Sequence, residues 1–189
     1  MGRLTDLRHV GCLALFCAGM PATALADNGT LLISGGLREG ACQLEMDSAL
    51  QQVDMGSIAS ASLRQPGDRA YPVSFQIRFR DCVRGKGQQQ DRDYGTLTWS
   101  EQQPVVSLTF LAPANADTPS LFAVSGASGI GLRITDINAR TVMPARRSHP
   151  VFLTPGNDEL TFHVAVERTA APLVVGAYTA TADFRVSYD

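Results

Sequence analysis

The sequence predicts an all-β fold, and three observations predict it. Apolar and polar residues alternate with a period of two in several runs, turn residues punctuate those runs, and no long stretch keeps helical spacing. Alternation puts successive side chains on opposite faces of a strand, so each run has one face to bury and one to wet. Strands separated by turns in this way suggest a sandwich of antiparallel neighbours rather than βαβ units.

The chain opens with Arg3 and Arg8, an apolar run from Val10 to Met20, and Ala24-Leu25-Ala26. This is the build of a cleaved secretory signal, and the run is well short of the roughly 20 residues a membrane-spanning helix needs. Residues 1–26 are therefore set aside, and 27–189 is read as one domain. The next run alternates Leu31, Ile33, Gly35 and Leu37 with Leu32, Ser34, Gly36 and Arg38, a strand ahead of the first retained cysteine. Cys12 and Cys17 fall in the signal. Cys42 and Cys82 remain, and an even count in an exported chain reads as one disulfide formed in an oxidising compartment. Closing a loop of about 41 residues would contribute roughly 4 kcal/mol by restricting the unfolded chain. Two free buried thiols are the alternative. A metal site would need a nearer second ligand.

From Ser48 to Arg64 the apolar residues fit neither period, which suggests a short helical turn between two strands. Val73, Phe75, Ile77 and Phe79 then alternate with Ser74, Gln76, Arg78 and Arg80, a half-buried strand that runs into Cys82. The polar stretch from Gly85 to Asp93 reads as a mobile loop. Strands are expected at Gly95 to Trp99, Val105 to Phe110 and Ile130 to Ile137. Another is expected at Leu160 to Val166, with Leu160, Phe162, Val164 and Val166 on one face. Pro113 to Pro119, Ser125 to Gly129, Pro155 to Asp158 and Ala170 to Pro172 carry turn chemistry. The last run is the strongest: Tyr178, Ala180, Ala182, Phe184, Val186 and Tyr188 alternate with Thr179, Thr181, Asp183, Arg185, Ser187 and Asp189. It reads as a strand to the final residue whose apolar face needs a covering neighbour. Alternation alone leaves open whether the Leu31 to Leu37 strand covers it within one molecule or another chain does.

Four features at the ends and around the cysteines resemble the type 1 pilin family of chaperone-usher pili. Gly176 stands fourteenth from the end and Tyr188 next to last, with apolar alternation between them. Cys42 follows Gly40-Ala41 and Cys82 follows Phe79-Arg80-Asp81, and Val53-Asp54-Met55-Gly56 with Ala61-Ser62-Leu63 is similar to the pilin stretch between those cysteines. The segment Gly29 to Leu37 resembles a donor strand, and its short lead to Cys42 is similar to adaptor subunits near a pilus tip. The Arg-rich and Gln-rich composition departs from major shaft pilins.

The resemblance implies an incomplete immunoglobulin-like β-sandwich that lacks its seventh strand, the pilin fold. A groove would lie beside the strand of Gly176, Tyr178, Ala180, Ala182, Phe184, Val186 and Tyr188. Residues 27–41 would be the N-terminal donor extension, carrying Leu31, Ile33, Gly35 and Leu37, and residues 42–189 the pilin domain. A periplasmic chaperone would fill the groove first, and an outer-membrane usher would let the extension of another pilin subunit replace it, which is donor-strand complementation. The expected place is a fimbrium on the bacterial surface, reached through the periplasm, with no cofactor and no catalytic or metal residues.

The remaining residues offer little to a rival reading. The formal net charge is −2 without a basic block, which excludes nucleic acid as a natural partner. His163 reads as a surface residue and His149 as part of a solvated loop; Asp91 with Asp93 and Asp158 with Glu159 read as loop carboxylates. No G-x-S-x-G elbow or EF-hand spacing occurs, so the chain is not expected to be an enzyme. The remaining alternative is a self-contained secreted sandwich that binds ligand as a lectin-like adhesin.

Overall fold

The computed structural model describes residues 40–188. Strand β1 (Gln43–Leu44) leads to a one-turn helix α1 (Met46–Ala49), then an extended stretch and a 3-10 turn at Ser60–Ser62. The strands that follow are β2 (Val73–Cys82), β3 (Gly87–Gln90), β4 (Leu97–Ser100), β5 (Val105–Leu111) and β6 (Ile130–Asp136). The rest are β7 (Thr141–Val142), β8 (Val151–Phe152), β9 (Gly156–Arg168) and β10 (Asp183–Tyr188).

Three antiparallel sheets result. One has the order β1-β2-β9-β6-β7, another β10-β5-β8, and the third is the hairpin β3-β4. The period-two runs decide which faces meet. Ile77 and Phe79 of β2, Phe162 and Val164 of β9 and Ile134 of β6 form one wall of the core; Val106, Leu108 and Phe110 of β5 form the other. Phe110 sits at its centre, with ring centroids 6.0 Å from Phe75, 5.3 Å from Phe162, 6.4 Å from Phe122 and 6.3 Å from Phe184. Edge-on aromatic pairs of this kind contribute about 0.5 to 1.5 kcal/mol beyond the area they bury. The disulfide between Cys42 and Cys82 joins the start of β1 to the end of β2, as the cysteine count implies.

Beside this core, Glu167 of β9 is buried and paired with two arginines. Arg69 Nε donates to Glu167 Oε2 at 2.6 Å, Arg133 Nη2 donates to Oε1 at 2.8 Å, and Arg133 Nε also reaches Oε2. Burial pushes the Glu167 carboxyl upward, but the hydrogen bonds from Arg133 and Arg69 outweigh it and hold the group below its ordinary range. The triad ties β6 and β9 to the segment ahead of β2.

Several expectations are corrected. The polar stretch from Gly85 to Asp93 contains β3, because Gln89 turns its amide inward while Gln88 and Gln90 face out. The next strand begins at Leu97 rather than Gly95. Strand β9 begins at Gly156, so the turn expected at Pro155 to Asp158 is mostly strand; the register pairs Gly156 with Cys82 and Asp158 with Phe79. His149 and Asp91 are not solvated. Both are buried, with Nδ1 and Oδ2 2.5 Å apart. His163 is half-buried on the outer face of β9, between Ser74 and Thr135. Among the described residues, no helix is long and apolar enough to cross a membrane, and no group of three or more His, Cys, Asp or Glu is placed to hold a metal ion.

Candidate functional site

The two main sheets treat their edges differently. The five-stranded sheet ends in β1 and β7, each of two residues, and short edge strands offer little to an outside chain. The three-stranded sheet ends on one side in β10, six residues long. Its partner β5 runs alongside from Leu111 opposite Asp183 to Val106 opposite Tyr188.

Hydrogen bonds on the far side of β5 settle which β10 groups are free. Leu108 N–H donates to Ser148 Oγ at 2.9 Å and Leu108 C=O accepts from Ser148 N–H at 2.6 Å. Phe110 C=O accepts from Ala145 N–H at 2.8 Å. These groups point away from β10. In an antiparallel ladder the residues opposite them, Val186 and Phe184, therefore point their own N–H and C=O away from β5. Among the described residues, no backbone group from another segment takes up that edge.

The side chains of the same residues turn the other way. Phe184, Val186 and Tyr188 are half-buried and pack on the main core, and Tyr188 meets Phe79 edge-on at 6.4 Å. Burial pushes the Tyr188 hydroxyl up to about 12, so it stays neutral at any physiological pH. The extended stretch between α1 and the 3-10 turn also packs on this core. Val53 and Met55 are half-buried there, and among the described residues the backbone from 51 to 58 makes no backbone hydrogen bond. Two extended segments thus pack on one apolar core, and among the described residues neither the outer side of β10 nor the stretch from 51 to 58 is bonded to the backbone of another strand.

Upstream, the segment expected to be one strand changes character. Thr179 exchanges hydrogen bonds with Ser125 at 2.9 and 3.0 Å, and Val174 with Ser128 at 3.3 and 3.1 Å. The 125–128 loop is thus the neighbour of 174–179, while Ala180 and Ala182 are exposed and belong to no strand. Gly176 fits because a Cβ there would lie 2.8 Å from Gly126 O; a side chain would push the two backbones apart. Tyr178 packs with Ile58, Leu63, Ile130, Val166 and Leu173 around a cavity of about 70 Å³. Burial raises the Tyr178 hydroxyl, and the nearby Asp54 carboxylate raises it further.

The structure therefore brings Phe184, Val186 and Tyr188 together on the main core, places Tyr178 on a second apolar cluster with Leu63, Ile130 and Val166, sets Gly176 at a close backbone approach, and leaves Ala180 and Ala182 outside the ladder. Leu31, Ile33, Gly35 and Leu37 lie outside the described residues. Sequence reasoning read Ser125 to Gly129 as a turn but not its pairing with 174–179, and it missed the role of Gln89, whose Nε2 reaches Ser187 O at 2.8 Å. Neither pairing carries a local signal, since each depends on a partner far along the chain.

Comparison with known proteins adds a family to this geometry. The model of the family described as "Fimbrial protein" matches residues 29–189. The chain is 29% identical over 189 residues to the Fimbria A protein of Serratia marcescens, which spans 98% of this chain and 99% of that one. Its fold is similar to the P pilus rod subunit PapA, with a TM-score of 0.63 at 19% identity over 79% of this chain and 100% of the other. It is equally similar to a subunit in the structure of a chaperone-usher pilus rod, with a TM-score of 0.63 at 18% identity over 86% and 96% of the two chains.

Proposed function

Because this chain belongs to the fimbrial protein family, whose members are structural subunits and not enzymes, we propose that it polymerises into a surface fibre by accepting a strand along β10. The observation that carries this reading is the edge of β10: Phe184 and Val186 turn their backbones outward while their side chains, with Tyr188, sit on a half-covered core. A strand laid there gains a main-chain ladder and adds apolar side chains to that core, which is strand addition. The chain's own Leu31, Ile33 and Leu37 have the right alternation to do this for a neighbouring subunit, with Gly35 allowing close approach.

On this reading residues 1–26 are a cleaved signal, 27–41 the donor extension and 42–189 the pilin domain. A periplasmic chaperone holds the edge first, and an outer-membrane usher delivers the replacing subunit, so the product is a fimbrium at the cell surface that supports adhesion. The Arg-rich and Gln-rich composition and the short lead to Cys42 favour a minor or adaptor subunit over the major shaft subunit.

The apolar side chains of a donor, buried at about 1.5 to 3 kcal/mol each, would supply on the order of 10 kcal/mol before ordering costs. The test is thermal unfolding of the chain from residue 27 onward, alone and with a peptide of residues 27–41. The expected result is a rise of at least about 10 °C with peptide, which a few kcal/mol produces in a domain of this size. Equal midpoints with and without peptide would refute strand acceptance.

A further inference from the structure

We propose that Gln89 is a positioning residue for strand acceptance: its side-chain amide fixes the C-terminal end of β10 against β5, and the Asp91–His149 pair fastens the hairpin that carries it. The inference rests on the reading of β10 as the accepting edge, and it names what holds that edge in place.

Gln89 is 2% exposed on a hairpin whose other face shows Gln88, Gln90, Leu97 and Trp99 to solvent. A glutamine buried to that degree needs a reason, because an unpaired buried amide is costly. Here Nε2 donates to Ser187 O of β10 at 2.8 Å and to Val105 O of β5 at 3.1 Å, while the buried Oε1 has no hydrogen-bond partner among the described residues, so the two Nε2 bonds are what the buried amide gains. One amide therefore bridges the two strands where their ladder runs out, next to the pair of Tyr188 and Val106. The bridge matters for an incoming strand because Tyr188 presents its ring to Phe79 from this end. Release of Ser187 would loosen Tyr188 and the outward-facing groups of Val186 together.

The hairpin can lie close enough to do this because of Gly87, where a Cβ would stand 2.8 Å from Gln103 O. Its fastening is largely polar. Asp91 follows β3, and its Oδ2 lies 2.5 Å from His149 Nδ1 while its Oδ1 accepts from the N–H groups of Asp93 and Tyr94 at 2.9 and 3.1 Å. The Tyr94 ring stacks on His149 at 5.2 Å, and Asp93 pairs with Arg146 at 3.2 Å. His149 in turn follows Ser148, the residue that bonds Leu108 of β5 on the side away from β10. A continuous run of contacts thus leads from Asp91 through His149 and Ser148 to β5, and from Gln89 to β10.

The experiment uses the chain from residue 27 onward, loaded with a labelled peptide of residues 27–41, and follows peptide release and amide exchange. Gln89→Met keeps the length of the side chain and removes both hydrogen bonds. It should speed release about tenfold and raise exchange at Ser187 and Tyr188 while leaving Ile134 and Val164 protected. Asp91→Asn should give a smaller increase at the same two amides, and the double variant should release no faster than Gln89→Met alone, since both act through one bridge. Equal release by Gln89→Met and the wild type, or loss of protection spread evenly over both sheets, would overturn the inference while leaving strand acceptance intact. Should Gln89→Met fail to fold, release from Asp91→Asn at the wild-type rate would overturn it as well. A wild-type chain that takes up no peptide would overturn strand acceptance, and this inference with it.

Discussion

The five-stranded and three-stranded sheets face the same core with the same kind of side chain, yet they differ in how far the chain completes them. In the first, β2, β9 and β6 each have neighbours on both sides, Glu167 ties two arginines across it, and its edges are two-residue strands. In the second, six-residue β10 has a neighbour on one side only among the described residues. Burial has been satisfied in one sheet and half satisfied in the other. On the proposed reading stability and availability are thereby separated: one wall holds the fold, and the other takes the added strand.

That contrast can be broken most severely where the walls meet. Phe110→Ala removes the ring touching both sheets and should cost about 3 to 5 kcal/mol. Denaturant unfolding should show loss of the whole fold, with donor peptide failing to restore it. A midpoint within the error of the wild type would mean the two walls do not share one core.

A smaller change confined to the closed wall is Glu167→Gln, which leaves Arg69 and Arg133 without their carboxylate and should cost about 2 to 3 kcal/mol. Its effect should depend on pH. The folded carboxyl lies below its ordinary value of 4.5, so its contribution is fully present above that value and is lost as pH falls through the folded value. The gap between variant and wild type should therefore begin to narrow as pH falls below 4.5 and close on further acidification. The temperature rise given by donor peptide should be unchanged, because the triad lies away from β10.

The mildest change sharpens the comparison instead. Val186→Thr keeps the shape of a half-buried residue on the open wall and adds a hydroxyl, which should cost about 1 kcal/mol in the bare chain. In the peptide-bound state the same hydroxyl is fully covered, so the peptide's temperature rise should shrink by several degrees. An unchanged rise would show that the incoming strand does not cover Val186.

Much of this architecture could be read from local pattern. The alternation of Val73 to Phe79 and of Leu160 to Val166 anticipated two strands that are in fact hydrogen-bonded to each other, with Phe75 opposite Phe162 and Ile77 opposite Leu160. Turn chemistry misled at Pro155 to Asp158, where a long strand simply begins early because Cys82 gives Gly156 a partner. It misled again at Gly85 to Asp93, where a polar composition concealed a strand. The C-terminal run was legible as apolar alternation, but the same alternation continues through Ala180 and Ala182, which the fold leaves in solvent.

What the sequence determined by itself was the class of the fold, the inward-facing residues of its main strands and the pair of cysteines. Period-two patterning and residue type are local properties, and a strand needs only its own residues to declare its two faces. The tertiary structure decided which long edge strand has one neighbour among the described residues, and that His149 meets Asp91 58 positions away and Gln89 meets Ser187 98 positions away. Such meetings depend on how whole sheets stack and register, and a polar side chain has no local pattern to show whether it will end in water or beneath another strand.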